Sequence, residues 1–300
     1  MIQLLALLGV LSISFSAVFV RLAGVSPVTA SFFRAAYALP LLMVIWHFQR
    51  DADHRPRRDR LLALAAGSIL GFELAVWHES IALIGVGLAT VLANVQVVFV
   101  AIAARYLYDE RLTARKGAVI GAVLTGVVLT SGFARHDAYG ASPVLGVMLG
   151  AFSGACYSAY LLMFRAANRT LAPSSGPLLD ATIGSVIGAL VCAPFDAGFS
   201  IAVHFPAHYW LLLLAIVAQV IGWLLIATAL PRLPATETSI VLLAQPVFAL
   251  IWGLLFFSER LSLVQWIGAA MVMGGVATIS SQKLRTENLE VTQKSQTPAA

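Results

Sequence analysis

A carboxylate in the middle of an apolar run is where chemistry would begin in this chain. Glu73 lies about twelve residues into such a run, at a depth where ionised groups are costly and mark sites by default, and Trp77 follows one helical turn later on the same face. A carboxylate so placed recognises an amine or carries a coupling proton. The bland alternative is a structural ion pair with Arg34, which lies inside the preceding apolar run at a matching depth. His78 and Glu79 come next, but neighbours on a helix point about 100° apart, so they do not face one cavity equally. His78 is the pathway candidate, against a role as an interfacial histidine. Gln219 and Trp223 repeat the spacing of Glu73 and Trp77 in a later run, at an offset of 146. Gln96, Gln245 and, less prominently, Asn94 bring amides that donate and accept without a charge penalty, which suits substrate contact and interhelical bonding equally. Tyr157, with Ser153 and Tyr160 within a few turns, adds an aromatic hydroxyl; for the serines, Ser12 and Ser16 included, close helix packing is the competing role. Asp180 lies near enough to the end of its run to reach water and is assigned no function. Phosphate loops of the Gly-Lys-Ser/Thr type, His-Glu-x-x-His, Gly-x-Ser-x-Gly and cysteine pairs at metal spacing are absent from the sequence. That excludes ATP-driven pumping within this chain, and neither cofactor nor metal is expected.

The elements that must position these residues come in two related sets. Gln96-Val97-Val98-Phe99-Val100-Ala101-Ile102 leads through apolar sequence to Glu110-Arg111-Leu112, and Gln245-Pro246-Val247-Phe248-Ala249-Leu250-Ile251 leads to Glu259-Arg260-Leu261, each matched residue at an offset of 149. Gly126-Val127 against Gly275-Val276 extends the match. A repeat of this length in an apolar chain predicts two related halves with a site where they meet. Pro246 has no backbone donor, so a carbonyl one turn earlier is freed for a ligand or a kink; Val97 stands at that place in the first half.

Hydrophobic residues make up 60% and charged residues 11% of the 300, with a mean hydropathy of +0.89, which excludes a soluble fold. Apolar runs of about twenty residues predict membrane-spanning helices rather than barrel strands, hence an all-α integral membrane protein. Ten transmembrane helices are expected at roughly 2–22, 27–48, 61–83, 86–105, 115–132, 143–166, 176–196, 208–230, 235–257 and 263–281. The first reads as a retained helix rather than a leader. Fifteen of the 19 Lys and Arg residues fall on one side, three on the other, and Arg34 within a span. The positive-inside rule then places both termini in the cytoplasm and accounts for the basic pI with no nucleic-acid partner. An offset of 149 covers five spans, and an odd number of crossings reverses direction. The halves, 1–132 and 133–282, are therefore expected as inverted five-helix repeats, with Gln96 and Gln245 near the midplane. Residues 283–300 read as a disordered cytoplasmic tail. Cys156 and Cys192 differ in expected depth by about 13 Å, too far for a disulfide.

Ten spans, inverted halves, and an apolar helix ending in Glu-Arg-Leu ahead of a Gly-rich span resemble the EamA-type branch of the drug/metabolite transporter superfamily. The resemblance runs over about residues 2 to 281. It is strongest at Gln245-Pro246-Val247-Phe248, Glu259-Arg260-Leu261 and Glu110-Arg111-Leu112. It implies a secondary transporter of small metabolites in a bacterial inner membrane, commonly an exporter of amino acids. An alternating-access carrier is expected, with a central cavity lined by spans 1, 3, 4, 6, 8 and 9. Glu73 and the glutamines offer groups for a zwitterion there, and Trp77, Tyr157 and Trp223 offer aromatic surface. The expected partners are a small-molecule substrate and the lipid bilayer. Nucleotide-sugar or phosphorylated-metabolite exchange ranks second, because Arg34 is a single intramembrane cation. An intramembrane enzyme using Glu73 or His78 as base would lack a nucleophile or metal set.

Overall fold

The computed structural model describes residues 2–84, 92–109, 113–130, 143–169, 173–257, 262–264, 266–275 and 278. The secondary-structure elements among them are all helices, with no strand. Seven helices are long and apolar enough to cross a membrane: Ile2–Ala23, Pro27–Ala52, Arg57–Ser80, Val144–Ala167, Ser175–Phe195, Ala207–Arg232 and Ala235–Phe256. They coincide with the expected spans 1, 2, 3, 6, 7, 8 and 9. The runs expected at 86–105, 115–132 and 263–281 carry shorter helices, Leu92–Leu107, Ala114–Thr130 and Trp266–Gly275, and part of each expected range lies outside the described residues. Both Glu-Arg-Leu motifs, Val276 and the tail 283–300 also lie outside them.

Local chemistry sets the helix limits. The first span is two helices, α1 (Ile2–Ser14) and α2 (Ser16–Ala23), hinged at Phe15. Ser12 and Ser14 donate to the carbonyls of Leu8 (3.0 Å) and Leu11 (2.6 Å), and such back-bonding competes with the helical ladder and bends it. Gly24, at φ 60°, closes α2 in the left-handed conformation that a side chain would strain. Ser26 accepts from the Thr29 N–H and Pro27 takes the first position of α3 (Pro27–Gln49). The expected loop through Arg60 is shorter than predicted: a 3-10 turn at Arg50–Ala52 leads to α4 (Arg57–Ile84), so Arg57 to Arg60 form its first turn.

The fourth span continues as α5 (Gln96–Leu107) after a turn at Val95, followed by α6 (Ala114–Thr130), α7 (Pro143–Ala167) and α8 (Ser175–Cys192). The eighth span is α9 (Ala207–Leu213), a π-helical segment Leu214–Gly222 and α10 (Trp223–Ala229). The ninth is α11 (Ala235–Leu242) and α12 (Ala244–Phe257), and α13 (Trp266–Gly275) follows. Spans 4 and 9 thus break at matching places, just ahead of Gln96 and Gln245. Proline explains the second break. The first occurs with Val97 in its place, held by the Val95 N–H on the Leu92 carbonyl at 3.2 Å.

Packing reproduces the duplication. The third span, α4, packs against α7 and α8; its counterpart, the π segment with α10, packs against α1 and α3. Helix α5 meets α7 as α12 meets α1, while α3 with α8 and α5 with α11 pair across the halves. Exchanging the first five spans for the second five maps this pattern onto itself. The tightest seam joins α4 and α8, where a Cβ on Gly67 or Gly71 would overlap the carbonyls of Ala181 or Ser185, and one on Gly184 or Gly188 those of Leu64 or Ser68. Backbones this close gain dispersion contacts that lipid cannot replace.

Candidate functional site

Two rows of side chains build the centre. On α4, Ala66, Leu70, Glu73 and Ser80 are buried at helical spacing. Glu73 accepts from Ser153 Oγ at 2.6 Å and Ser80 Oγ donates to the Gly146 carbonyl at 2.8 Å, so contacts two turns apart on α4 meet residues two turns apart on α7. On α3, Ser31, Arg34, Ala38 and Leu42 form the buried stripe facing α8 and the π segment. Arg34 Nε donates to Gln219 Oε1 at 2.8 Å, and Gln219 Nε2 donates to Thr182 Oγ1 at 3.2 Å. Gln219 sits inside the π segment, where the widened turn changes which way a side chain is aimed.

Arg34 and Glu73 do not form an ion pair among the described residues, so the pairing weighed as the alternative from depth is not made in this conformation. The guanidinium bonds to an amide and the carboxylate to a hydroxyl. The charges are still near enough for Arg34 to act electrostatically on Glu73, Tyr157 and Tyr160. Aromatic rings close the floor: Tyr157 stacks on Tyr160 at 6.0 Å, and Trp223 meets Tyr160 edge-on at 5.0 Å. The hydroxyl of Tyr160 and Nε1 of Trp223 are buried with no hydrogen-bond partner among the described residues.

Of the expected site residues, the structure gathers Glu73, Tyr157, Gln219 and Trp223 into this one neighbourhood. Trp77 and His78 form a separate pair, with rings 5.1 Å apart. His78 Nδ1 lies 2.5 Å from the Leu74 carbonyl, an acceptor only, so that nitrogen carries the proton. Gln96 links the halves instead, its Nε2 donating to the Ser239 carbonyl on α11 at 3.4 Å while its backbone carbonyl accepts from Ser158 Oγ at 3.1 Å. That is the interhelical role weighed for it. Asn94 and Gln245 are half-buried beside the two matching breaks. Arg34 and Thr182 were missed as site members; a lone cation within an apolar helix was the available signal for the first, and a threonine gave none for the second. Asp180, expected to reach water, is instead buried and accepts from Arg55 Nη2 at 2.9 Å. Both cysteines are free.

The centre is closed in this conformation. Arg34, Glu73, Gln219 and Trp223 are each exposed by 8% or less. A crevice of about 510 Å³ opens alongside, between α4, α7 and α8, lined by Phe72, Phe152, Cys156 and Ile187 among others. A smaller cavity of about 220 Å³ lies beside Ser26, Thr29, His204 and His208. Among the described residues no three His, Cys, Asp or Glu side chains gather as a metal site.

Bundled apolar helices in two repeats around a buried polar network define a multi-pass membrane protein. The chain belongs to the EamA-like transporter family, whose profile matches residues 1–132 and 144–281. It is 25% identical over 147 residues to the "Uncharacterized transporter YwfM" of Bacillus subtilis (strain 168); the match covers 49% of this chain and 49% of that relative, about half the length of each. A solved structure titled "Crystal structure of protein" superposes with a TM-score of 0.78 over 94% of this chain and 98% of its own, at 18% identity, and supports the fold.

Proposed function

We propose that this protein is a secondary transporter that exports small metabolites, amino acids in the first place, across a bacterial inner membrane by alternating access. The observation that carries this reading is the pair of hydrogen-bonded sets, Arg34 with Gln219 and Thr182, and Glu73 with Ser153, buried in an apolar bundle and contributed by both halves. Such groups are costly in lipid and stay where a polar solute must pass. Residues 1–132 and 133–282 are the two moving halves, inserted with opposite orientation, with both termini cytoplasmic. The interchangeable contact pattern supports that arrangement, since two similar units related by an in-plane axis exchange inward and outward forms by rocking. The closed centre corresponds to an occluded stage of the cycle. Glu73 receives the substrate's ammonium, and Tyr157 and Trp223 cover its apolar part. Trp77, His78, Asn94, Gln96 and Gln245 border the route.

The test is counterflow in proteoliposomes. Vesicles preloaded with an unlabelled amino acid are expected to accumulate the labelled one transiently and saturably. Uptake no faster than in empty liposomes for every amino acid in the panel would contradict the assignment.

A further inference from the structure

Arg34 has no ion-pair partner among the described residues. It is 8% exposed, and Nε is its one nitrogen with a hydrogen-bond partner among the described residues. Both Nη nitrogens lack one among those residues. Gln219 Oε1 holds Nε at 2.8 Å and is itself fixed through Nε2 on Thr182. That leaves the Nη edge of a planar fork free, the edge that suits a carboxylate bidentately. Two further polar groups in the same neighbourhood, the Tyr160 hydroxyl and the Trp223 indole N–H, also lack partners, and an indole only donates.

We propose that Arg34, oriented by Gln219 and Thr182, is the subsite for a substrate carboxylate. The proposal rests on the transport reading and adds which group of the substrate is held, and by what. A carboxylate supplies the single negative charge that a buried guanidinium lacks. A phosphate monoester brings nearly two charges to one cation, with Glu73 close by to repel the excess. Gln219 sets the orientation and does not itself neutralise the charge.

Binding read from the intrinsic tryptophan fluorescence of the purified protein separates this claim from transport. The probes are free amino acids, their carboxamides, the corresponding decarboxylated amines, and inorganic phosphate. Amino acids are expected to bind roughly 10- to 100-fold more tightly than their amides and amines, with phosphate weaker still. Arg34→Gln is expected to erase that preference, and Arg34→Lys to keep part of it. Gln219→Glu provides a control that holds the fold: it gives the guanidinium an internal carboxylate at a position already within bonding distance, so the preference is lost while thermal stability is kept or raised. Equal binding of acid and amide by the unmodified protein, tighter binding of phosphate, or a preference surviving in both Arg34→Gln and Gln219→Glu overturns the subsite. Arg34-dependent carboxylate binding without any flux would leave the subsite standing and overturn transport; saturable flux of amines or amides, indifferent to Arg34→Gln, would do the reverse.

Discussion

Arg34 and Gln219, 185 residues apart in sequence, meet through a 2.8 Å hydrogen bond that joins the second span to the π segment of the eighth. Removing the acceptor strands a buried charged donor. Gln219→Leu is expected to lower unfolding stability by about 2 kcal/mol, the scale of a lost hydrogen bond to a charged group, and to reduce counterflow by at least about tenfold. Thermal unfolding in detergent and proteoliposome assays read the two effects.

Glu73 and Ser153 give a separate test of the carboxylate's role. In Glu73→Gln the side-chain carbonyl still accepts from Ser153 Oγ, so the fold is expected to persist with a melting temperature close to the parent's. Counterflow of substrates bearing an ammonium group is expected to fall by roughly tenfold or more, because the negative charge is gone. A variant with unchanged flux would reduce Glu73 to a packing partner.

The seam between α4 and α8 makes a prediction about stability alone. A methyl added at Gly67 or Gly184 meets a backbone carbonyl of the facing helix, which cannot rotate aside. Gly67→Ala and Gly184→Ala are expected to cost about 1–3 kcal/mol each. Gly117→Ala and Gly121→Ala, where nothing lies within 4 Å of the added atom, are expected to leave stability unchanged or slightly raised.

At one end of the bundle Asp53 accepts from Arg55 Nε at 2.7 Å and from Trp46 Nε1 at 2.9 Å. Burial pushes its pKa up, but the hydrogen bonds from Arg55 and Trp46 and the Arg55 charge outweigh that and hold it at about 2, below the ordinary 3.8. A pKa lowered on folding means stability that is present above the ordinary value and lost as pH falls towards the folded one. The contribution is about 2 kcal/mol at neutral pH, lost between about pH 4 and pH 2. Asp53→Asn should flatten the stability profile in that interval; an unchanged profile would assign the acid loss to other carboxylates.

The fold was largely legible because lipid imposes long apolar runs, and the paired Gln motifs announced the duplication. Glu73, Gln219 and Trp223 could be singled out since polar groups are expensive at that depth. What stayed hidden depends on rotation about helix axes. Depth placed Arg34 level with Glu73, but the π segment turns Gln219 towards the guanidinium, and nothing in Leu214–Gly222 marks a wider turn. Ser153 reads as a packing residue until its partner is seen, and Thr182 carries no signal of its own in the sequence. Gly67, Gly71, Gly184 and Gly188 have a spacing of four visible in sequence, yet glycine is scattered through the other spans as well.

Alternating access to the polar centre is the claim on which the rest turns, and a single cysteine measures it most directly. In a chain with Cys156 and Cys192 replaced by Ala, Tyr157→Cys places a thiol beside Glu73 and Arg34, and a membrane-impermeant thiol reagent is applied from each side in turn. Labelling from both sides, slowed by an amino acid that the parent transports, is the predicted result. Labelling from one side alone under all conditions, or protection by no amino acid, would contradict a centre that opens alternately to the two faces of the membrane.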